Sequence, residues 1–230
     1  MLHCNGDRQV IAERRIGVFL PSCPVLTADV NNGALTIGVL ALQGDFEAHR
    51  KTLKSLGVRT VLVRKPEELE AIDGLVIPGG ESSTFLKFLE REGFLEKLRR
   101  FVAEKPAFGT CAGAILLAKK VTSPVQESLG ALDVTVQRNA YGRQIHSSIM
   151  TIPTKLGGQP LEMVFIRAPR IEQVGRDVEV LAEREGHPVL VRQGQIMAAT
   201  FHPELSSDTR VHEMFLNLVR QATTKDRVIS

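Results

Sequence analysis

The chain has 230 residues, 43% of them hydrophobic and 24% charged, enough to bury the core of one large α/β domain rather than two small ones. Its 29 basic and 26 acidic residues leave a formal charge of +3, the basic ones are scattered among the acidic, and there is one Tyr and no Trp. A nucleic-acid surface would need a basic stripe with stacking aromatics, and a membrane span would need about 18 consecutive apolar residues; the sequence has neither. The three cysteines, Cys4, Cys23 and Cys111, form no CxxC pair, and their odd number argues against a disulfide framework, so a reducing, cytoplasmic setting is expected.

Residues 1–35 show no sustained period. Their apolar stretch, IGVFLPSCPVL, follows basic residues as in a signal peptide, but it is short and broken by Pro21 and Pro24. A poorly ordered extension, or an upstream start that adds little to the fold, is the preferred reading.

From Thr36 the pattern is regular. TIGVLAL reads as a strand covered on both faces, DFEAHRKTLKSLG as an amphipathic helix closing on Gly57, and VRTVLVR as a second strand. KPEELEAI is a short helix with Pro66 at its start, and DGLVIPGG is a third strand ending in two glycines. ESSTFLKFLEREGFLEKLRRFVAE is helical with a break at Gly93; PAFGT is a fourth strand, and AGAILLAKK a helix running directly out of it. This alternation implies βαβ units and a parallel sheet. The second half is strand-rich: LDVTVQRN, SSIMTIP, EMVFIRAP, VEVLAERE, HPVLVRQ and QIMAATF, with a hairpin turn at Gly194, before SSDTRVHEMFLNLVRQA closes the pattern as a helix. The expected fold is therefore α/β, a mostly parallel central sheet flanked by helices, with an antiparallel C-terminal portion.

Gly109-Thr110-Cys111-Ala112-Gly113 puts a thiol on the tight corner between a strand and a helix, with small neighbours on both sides. A nucleophile elbow needs this arrangement, and the N-terminal N–H groups of the helix suit both a thiolate and an oxyanion beside it. A buried Cys in a small-residue turn explains the motif about equally well until a base is found. His202, at the end of a strand pattern, is the candidate: Pro203 stiffens the chain and Glu204 follows to orient the ring, as a Cys-His-carboxylate relay requires. His3, His49, His146, His187 and His212 are read as surface or core residues without a functional role. No second Cys or helical His pair completes a metal set around Cys111, His202 and Glu204. The loop IPGGESS offers Gly79 and Gly80 for close approach to a substrate oxygen, or simply a helix start capped by Ser82 or Ser83; without a following G-K-[ST] it is not a phosphate loop.

Taken in order, GVLALQGDFEAH, GLVIPGGESS, FGTCAGAILLAK, QRNAYGRQ, VFIRAP and TFHPELSSDTRVH closely resemble one family, the glutaminase subunit of pyridoxal 5'-phosphate synthase, a class I (triad) glutamine amidotransferase with a flavodoxin-like domain. GTCAG and HPE indicate only the wider amidotransferase class; RNAYGRQ and FIRAP single out this subunit. The resemblance runs from about Thr36 to about Ala222 and implies an amidotransferase domain over 36–222, an extension over 1–35 and a tail over 223–230. It implies hydrolysis of L-glutamine to glutamate and ammonia, no cofactor, and passage of the ammonia through a tunnel to a (β/α)8-barrel synthase subunit that makes pyridoxal 5'-phosphate from a pentose phosphate and a triose phosphate. It places the nucleophile, base and orienting carboxylate on Cys111, His202 and Glu204. Glutamine binding falls on Gly80, Glu81, Ser82, Arg138, Ile166 and Arg167, the oxyanion donors on the N–H groups of Gly80 and Ala112, and a partner contact on Gln43.

Three departures stand out. Ser83 stands where the family usually has Thr, IHSSI follows YGRQ where the family tends to place Ser-Phe, and the first 35 residues match nothing in it. The alternatives are the glutaminase of another triad amidotransferase, such as that of histidine biosynthesis, which the acceptor protein distinguishes, and a catalytically silent regulator on the same fold, which would have no need of all three triad residues.

Overall fold

In chain order the elements are β1 (Thr36–Leu40), α1 (Phe46–Ser55), β2 (Arg59–Val63), a 3₁₀ turn (Pro66–Ala71), β3 (Gly74–Ile77), α2 (Ser82–Arg91), α3 (Phe94–Glu104), β4 (Ala107–Thr110), α4 (Ala112–Leu117) and β5 (Ala118–Thr122). There follow β6 (Leu132–Gln137), β7 (Ser148–Ile152), β8 (Leu161–Phe165), β9 (Arg170–Val174), β10 (Glu179–Arg184), β11 (His187–Gln193), β12 (Ile196–Ala199), a 3₁₀ turn (Pro203–Leu205) and α5 (Arg210–Ile229). This is a computed structural model, and it describes residues 35–138, 140 and 147–229. The chain divides into Met1–Gly33 and Ala34–Ser230, and all these elements lie in the second unit. The expectations for the N-terminal segment, for Cys4, Cys23, His3 and His146, and for Asn139 and Tyr141 to Gln144 of the RNAYGRQ motif lie outside the described residues.

Among the described residues the main sheet has seven strands in the order β10-β11-β12-β4-β3-β1-β2. β2, β1, β3, β4 and β12 run parallel, while β11 and β10 are added antiparallel at one edge. The central strands GLVI, AFGT and IMAA are buried at every position, as expected where helices cover both faces. At Gly74 a Cβ would strike Val219 of α5, so the small residue lets that helix lie close on the sheet. The carboxyl ends of β3, β4 and β12 open on the same side, where ligand loops gather in parallel sheets.

The structure corrects four expectations. AGAILLAKK is not one helix: α4 stops at Leu117, and Ala118–Thr122 turns into β5, parallel to β6 from Ala118↔Leu132 to Thr122↔Gln137. Pairing with a strand beyond the next loop overrides the helix propensity of Ala and Lys. Arg170–Val174, unassigned in the sequence, is β9 and pairs antiparallel with β6, completing a three-stranded second sheet. The Pro66 segment is a 3₁₀ turn. α5 begins at Arg210, after Asp208 accepts a hydrogen bond from the Arg210 N–H, and runs to Ile229, past the expected end at Ala222.

The layer between the sheet and helices α1 and α5 holds an apolar cluster that includes Val39, Leu53, Val76, Phe108, Phe215 and Val219. Two histidines, His49 of α1 and His212 of α5, are fully buried beside it. Their rings meet through His49 Nδ1 and His212 Nε2 at 3.0 Å, and both stand edge-on to Phe108. Burial pushes His49 well below 6.5, helped by the neighbouring His212 and His202, and burial alone takes His212 down to about 4. Both rings are therefore neutral at pH 7 in the folded protein.

A depressed histidine contributes stability that is full above 6.5 and is lost as the pH falls, because the unfolded chain binds the proton first. His202, raised to about 10, is already protonated in the folded protein, and the unfolded chain completes its own protonation by about pH 5.5, so it opposes only the first part of the fall and adds no slope below that. The carboxylates held below their ordinary values, Glu67, Glu68, Glu81 and Asp208, act only below about 4.5. Denaturant unfolding should therefore show stability falling by roughly 1 kcal/mol per pH unit for each of the two rings as the pH drops from about 6.5 to 5. A flat profile over that interval would show that the rings accept protons without opening the core.

Candidate active site

The corner between β4 and α4 is built by what is missing from it. Cys111 sits at φ 48°, ψ −102°, a conformation in which an L-residue is strained. Its N–H donates to the Ala199 carbonyl of β12 at 2.8 Å, and its carbonyl accepts from the Ile115 N–H at 3.2 Å, so both peptide groups are tied down. A Cβ on Gly113 would fall on the Ile77 carbonyl oxygen, and one on Gly109 would run into the backbone of Gly113. The two glycines thus let α4 press against β3 and β4 while the sulfur projects at the carboxyl end of the sheet.

The thiol lines a cavity of about 260 Å³ together with Gly80, Glu81, Ser82, Arg138, Ile166, Arg167 and His202. Cys111 Sγ lies 3.9 Å from the Ile166 carbonyl oxygen. Larger surface grooves, one between the Pro66 turn and α3 and one across β5, β6 and β9, hold neither Cys nor His.

His202 follows β12, and its N–H donates to the Val164 carbonyl at 2.8 Å. The 3₁₀ turn after it brings Glu204 back beside the ring, so that Nδ1–H donates to Glu204 Oε1 at 2.8 Å. Nε2 is then left for the sulfur. Burial opposes charge on this ring, but its hydrogen bonds to Cys111 and Glu204 and the charges of both outweigh it, pushing His202 up to about 10. Gly79 keeps the approach open: a Cβ there would collide with the His202 ring and crowd Cys111 Cβ.

The remaining expected positions surround this mouth. Glu81, rather than Ser82 or Ser83, caps α2, accepting from the N–H groups of Ser83 at 3.0 Å and Thr84 at 2.7 Å. A hydrogen bond from the Thr84 hydroxyl, with those N–H donors, holds its carboxyl down to about 2. Arg138 donates to Ser83 Oγ at 2.6 Å and reaches Glu81 Oε1 at 3.5 Å. Ser82 is buried and donates to Gln126 Oε1 at 3.2 Å. Arg167 has a positive φ of 45°, which turns the chain at the cavity wall. Gln43 Nε2 donates to the Glu81 carbonyl at 2.8 Å and lies close over Gly80. Ala112 is the first residue of α4, so its N–H has no partner within the helix.

Three residues given no role in the sequence also meet at the site. Glu204 Oε2, the oxygen that His202 does not use, lies 3.2 Å from His49 Nε2 but accepts no in-line hydrogen bond among the described residues. His49 Nε2 is also 3.1 Å from Thr110 Oγ1, and His212 lies behind His49. The available signal was a polar ring on an otherwise apolar helix face: His49 precedes Leu53 by one turn, and His212 precedes Phe215 and Leu216. Among the described residues no group of three or more His, Cys, Asp and Glu side chains is placed to hold a metal ion, and no helix is long and apolar enough to cross a membrane.

Comparison with known proteins places the chain in a family. Over 193 residues, 84% of this chain and all of the relative, the chain is 65% identical to pyridoxal 5'-phosphate synthase subunit PdxT of Koribacter versatilis. It is 51% identical over 189 residues, 81% of this chain and all of the relative, to the PdxT subunit of Thermotoga neapolitana. A crystal structure of a glutamine amidotransferase superposes with a TM-score of 0.75 at 47% identity, covering 80% of this chain and 98% of the other. The model of the SNO glutamine amidotransferase family matches residues 39–221, and the chain belongs to that family.

Proposed function

We propose that Cys111, His202 and Glu204 are the groups by which this chain, a glutaminase subunit of pyridoxal 5'-phosphate synthase, hydrolyses L-glutamine and supplies ammonia for pyridoxal 5'-phosphate synthesis. One observation carries the assignment: a thiol on a strained corner and an imidazole line one cavity, and a buried carboxylate, 93 residues beyond the thiol, is hydrogen-bonded to that imidazole from behind. In this reading the Cys111 thiol passes its proton to His202 Nε2 and Sγ attacks the side-chain carboxamide carbon of glutamine; after hydrolysis of the thioester the same ring returns a proton to the sulfur. The oxyanion is met by the N–H groups of Gly80 and Ala112; losing one such donor raises a barrier by about 3 kcal/mol. His202 donates its Nε2 proton to the departing ammonia, leaving a glutamyl thioester. The neutral ring then takes a proton from water as it attacks the thioester, and glutamate leaves with the thiol restored. Glu204 holds the ring in the tautomer that presents Nε2 throughout.

Glutamine itself is held by Gly80, Glu81, Ser82, Arg138, Ile166 and Arg167. The Arg138 guanidinium suits a carboxylate, while Glu81 offers negative charge to an ammonium from a carboxyl already engaged at the helix start. The partner is a separate synthase subunit, a (β/α)8 barrel, and Gln43 belongs to the surface that senses it. The setting is cytoplasmic. Residues 36–222 act as the amidotransferase domain, with 1–35 as an extension.

Ammonia released into bulk water is protonated and lost to synthesis, so the subunit gains from staying nearly idle until its partner docks. Ammonia release from glutamine should be weak for the subunit alone and rise several-fold or more when the synthase subunit is added. Equal turnover in both conditions would remove the coupling. Cys111→Ala should reduce hydrolysis to background, since losing a nucleophile of this kind costs on the order of 10⁶ in kcat, while co-purification with the synthase persists. Turnover near that of wild type in the variant would exclude Cys111 as nucleophile.

A further inference from the structure

We propose that His49, held in turn by His212, is a positioning residue for Glu204: it directs Nε2–H toward the carboxylate oxygen that His202 leaves unused. The proposal rests on the glutaminase reading above.

The geometry defines the proton positions. Both side chains, His49 and Glu204, are completely buried, and their facing atoms are 3.2 Å apart. If the His49 proton were on Nδ1, its Nε2 lone pair would face a carboxylate oxygen at that distance. His212 would then have to offer its Nε2 lone pair to His49 and carry its own proton on Nδ1, which has no partner. An orphaned buried N–H is worse tolerated than an orphaned acceptor. Both ends of this line of rings therefore select one assignment: His212 Nε2–H donates to His49 Nδ1, and His49 Nε2–H donates to Thr110 Oγ1 with Glu204 Oε2 off line 3.2 Å away, so that the proton, not the lone pair, faces the carboxylate.

This arrangement acts on the reaction through the plane of the carboxylate. With only Oε1 anchored, by His202, the Glu204 carboxylate can rotate about its last bond. An N–H at Oε2 opposes that rotation and keeps Oε1 aimed at Nδ1 as the ring cycles between its charged and neutral forms. Phe108 stands edge-on to both rings and limits their tilt. An apolar pair would pack in the same space without the cost of burying polar nitrogens, so two neutral imidazoles behind a catalytic carboxylate point to their hydrogen-bonding capacity.

The test is steady-state glutaminase kinetics of the complex with the synthase subunit, with a melting curve for each variant. His49→Leu should lower kcat by at least about tenfold, the loss typical when a group that orients a functional side chain is removed, and leave KM within about twofold. His49→Gln, which keeps an N–H near the Nε2 position, should recover most of that loss, whereas His49→Asn, which matches Nδ1 instead, should not. Wild-type kcat in His49→Leu, or equal kcat in the Gln and Asn variants, would overturn the proposal while leaving the glutaminase reading intact. The Gln and Asn comparison decides alone if the Leu variant does not fold. A wild-type complex that releases no ammonia from glutamine would overturn both.

Discussion

The site depends on a close approach that only glycine permits. α4 must start one residue beyond the sulfur and still lie against β3, and the Cβ of any other residue at 113 would fall on the Ile77 carbonyl. That contact sets where the helix begins. It thereby sets the backbone of Cys111 at a positive φ, a strain of about 1–3 kcal/mol borne by the surrounding sheet. The hydrogen bond from the Cys111 N–H to β12 links the same corner to the strand that leads to His202. Thiol and imidazole are thus registered against each other through the pairing of β4 and β12, Ala199↔Thr110 being the last pair before both side chains emerge. The two side chains therefore leave neighbouring strands of one sheet, within three residues of a paired position.

Electrostatics at the mouth divide into two systems. Inside, His202 gains charge because Cys111 and Glu204 both favour it against the cost of burial. At the rim, Glu81 is kept strongly acidic by the Thr84 hydroxyl and the first N–H groups of α2, with Arg138 alongside. In the inner system the His202 ring is hydrogen-bonded to Glu204 and shares the cavity with Cys111, the order that the proposed proton transfer needs. The outer one is saturated by the helix cap and serves to hold fixed charges of both signs. A zwitterionic small molecule carrying an amide suits this division, with fixed charges of both signs at the rim and the thiol deeper in the cavity.

Most of the first half of the fold was legible in the sequence because β1, β3 and β4 are buried on both faces and α1, α2 and α3 are amphipathic, so each of these elements declares itself within about ten residues. The break at Gly93 and the turns at Gly57 and Gly194 were legible for the same reason, each requiring a positive φ. Lys119 and Lys120 were misread as helix because two exposed lysines after a run of small and apolar residues fit the last turn of a helix; only pairing with β6, across an intervening loop, makes them strand. β9 failed for a related reason: Glu172 and Gln173 are exposed and Arg170 is only partly buried, leaving Ile171 as its one buried position. At the site, Cys111, His202 and Glu204 were readable from local motifs. His49 and His212 were not, because a single His on an apolar stripe carries no chemistry until the fold shows what it faces.

That pair also changes how the ends of the domain relate to its centre. α1 and α5 are distant in sequence, yet each contributes one ring to a line that ends on the carboxylate of the proposed triad. Loosening either helix would open a gap behind Glu204 before it disturbed the cavity in front of it. The same burial that keeps the two rings neutral makes them liable to protonation when the packing fails, since it is burial that holds His212 down to about 4. Protonated rings would repel each other, and a cation beside Glu204 would compete with His202 for the carboxylate. Packing of the outer helices and alignment of the proposed base are therefore one constraint seen from two sides: an arrangement that keeps the core dry also keeps His202 in register with the sulfur.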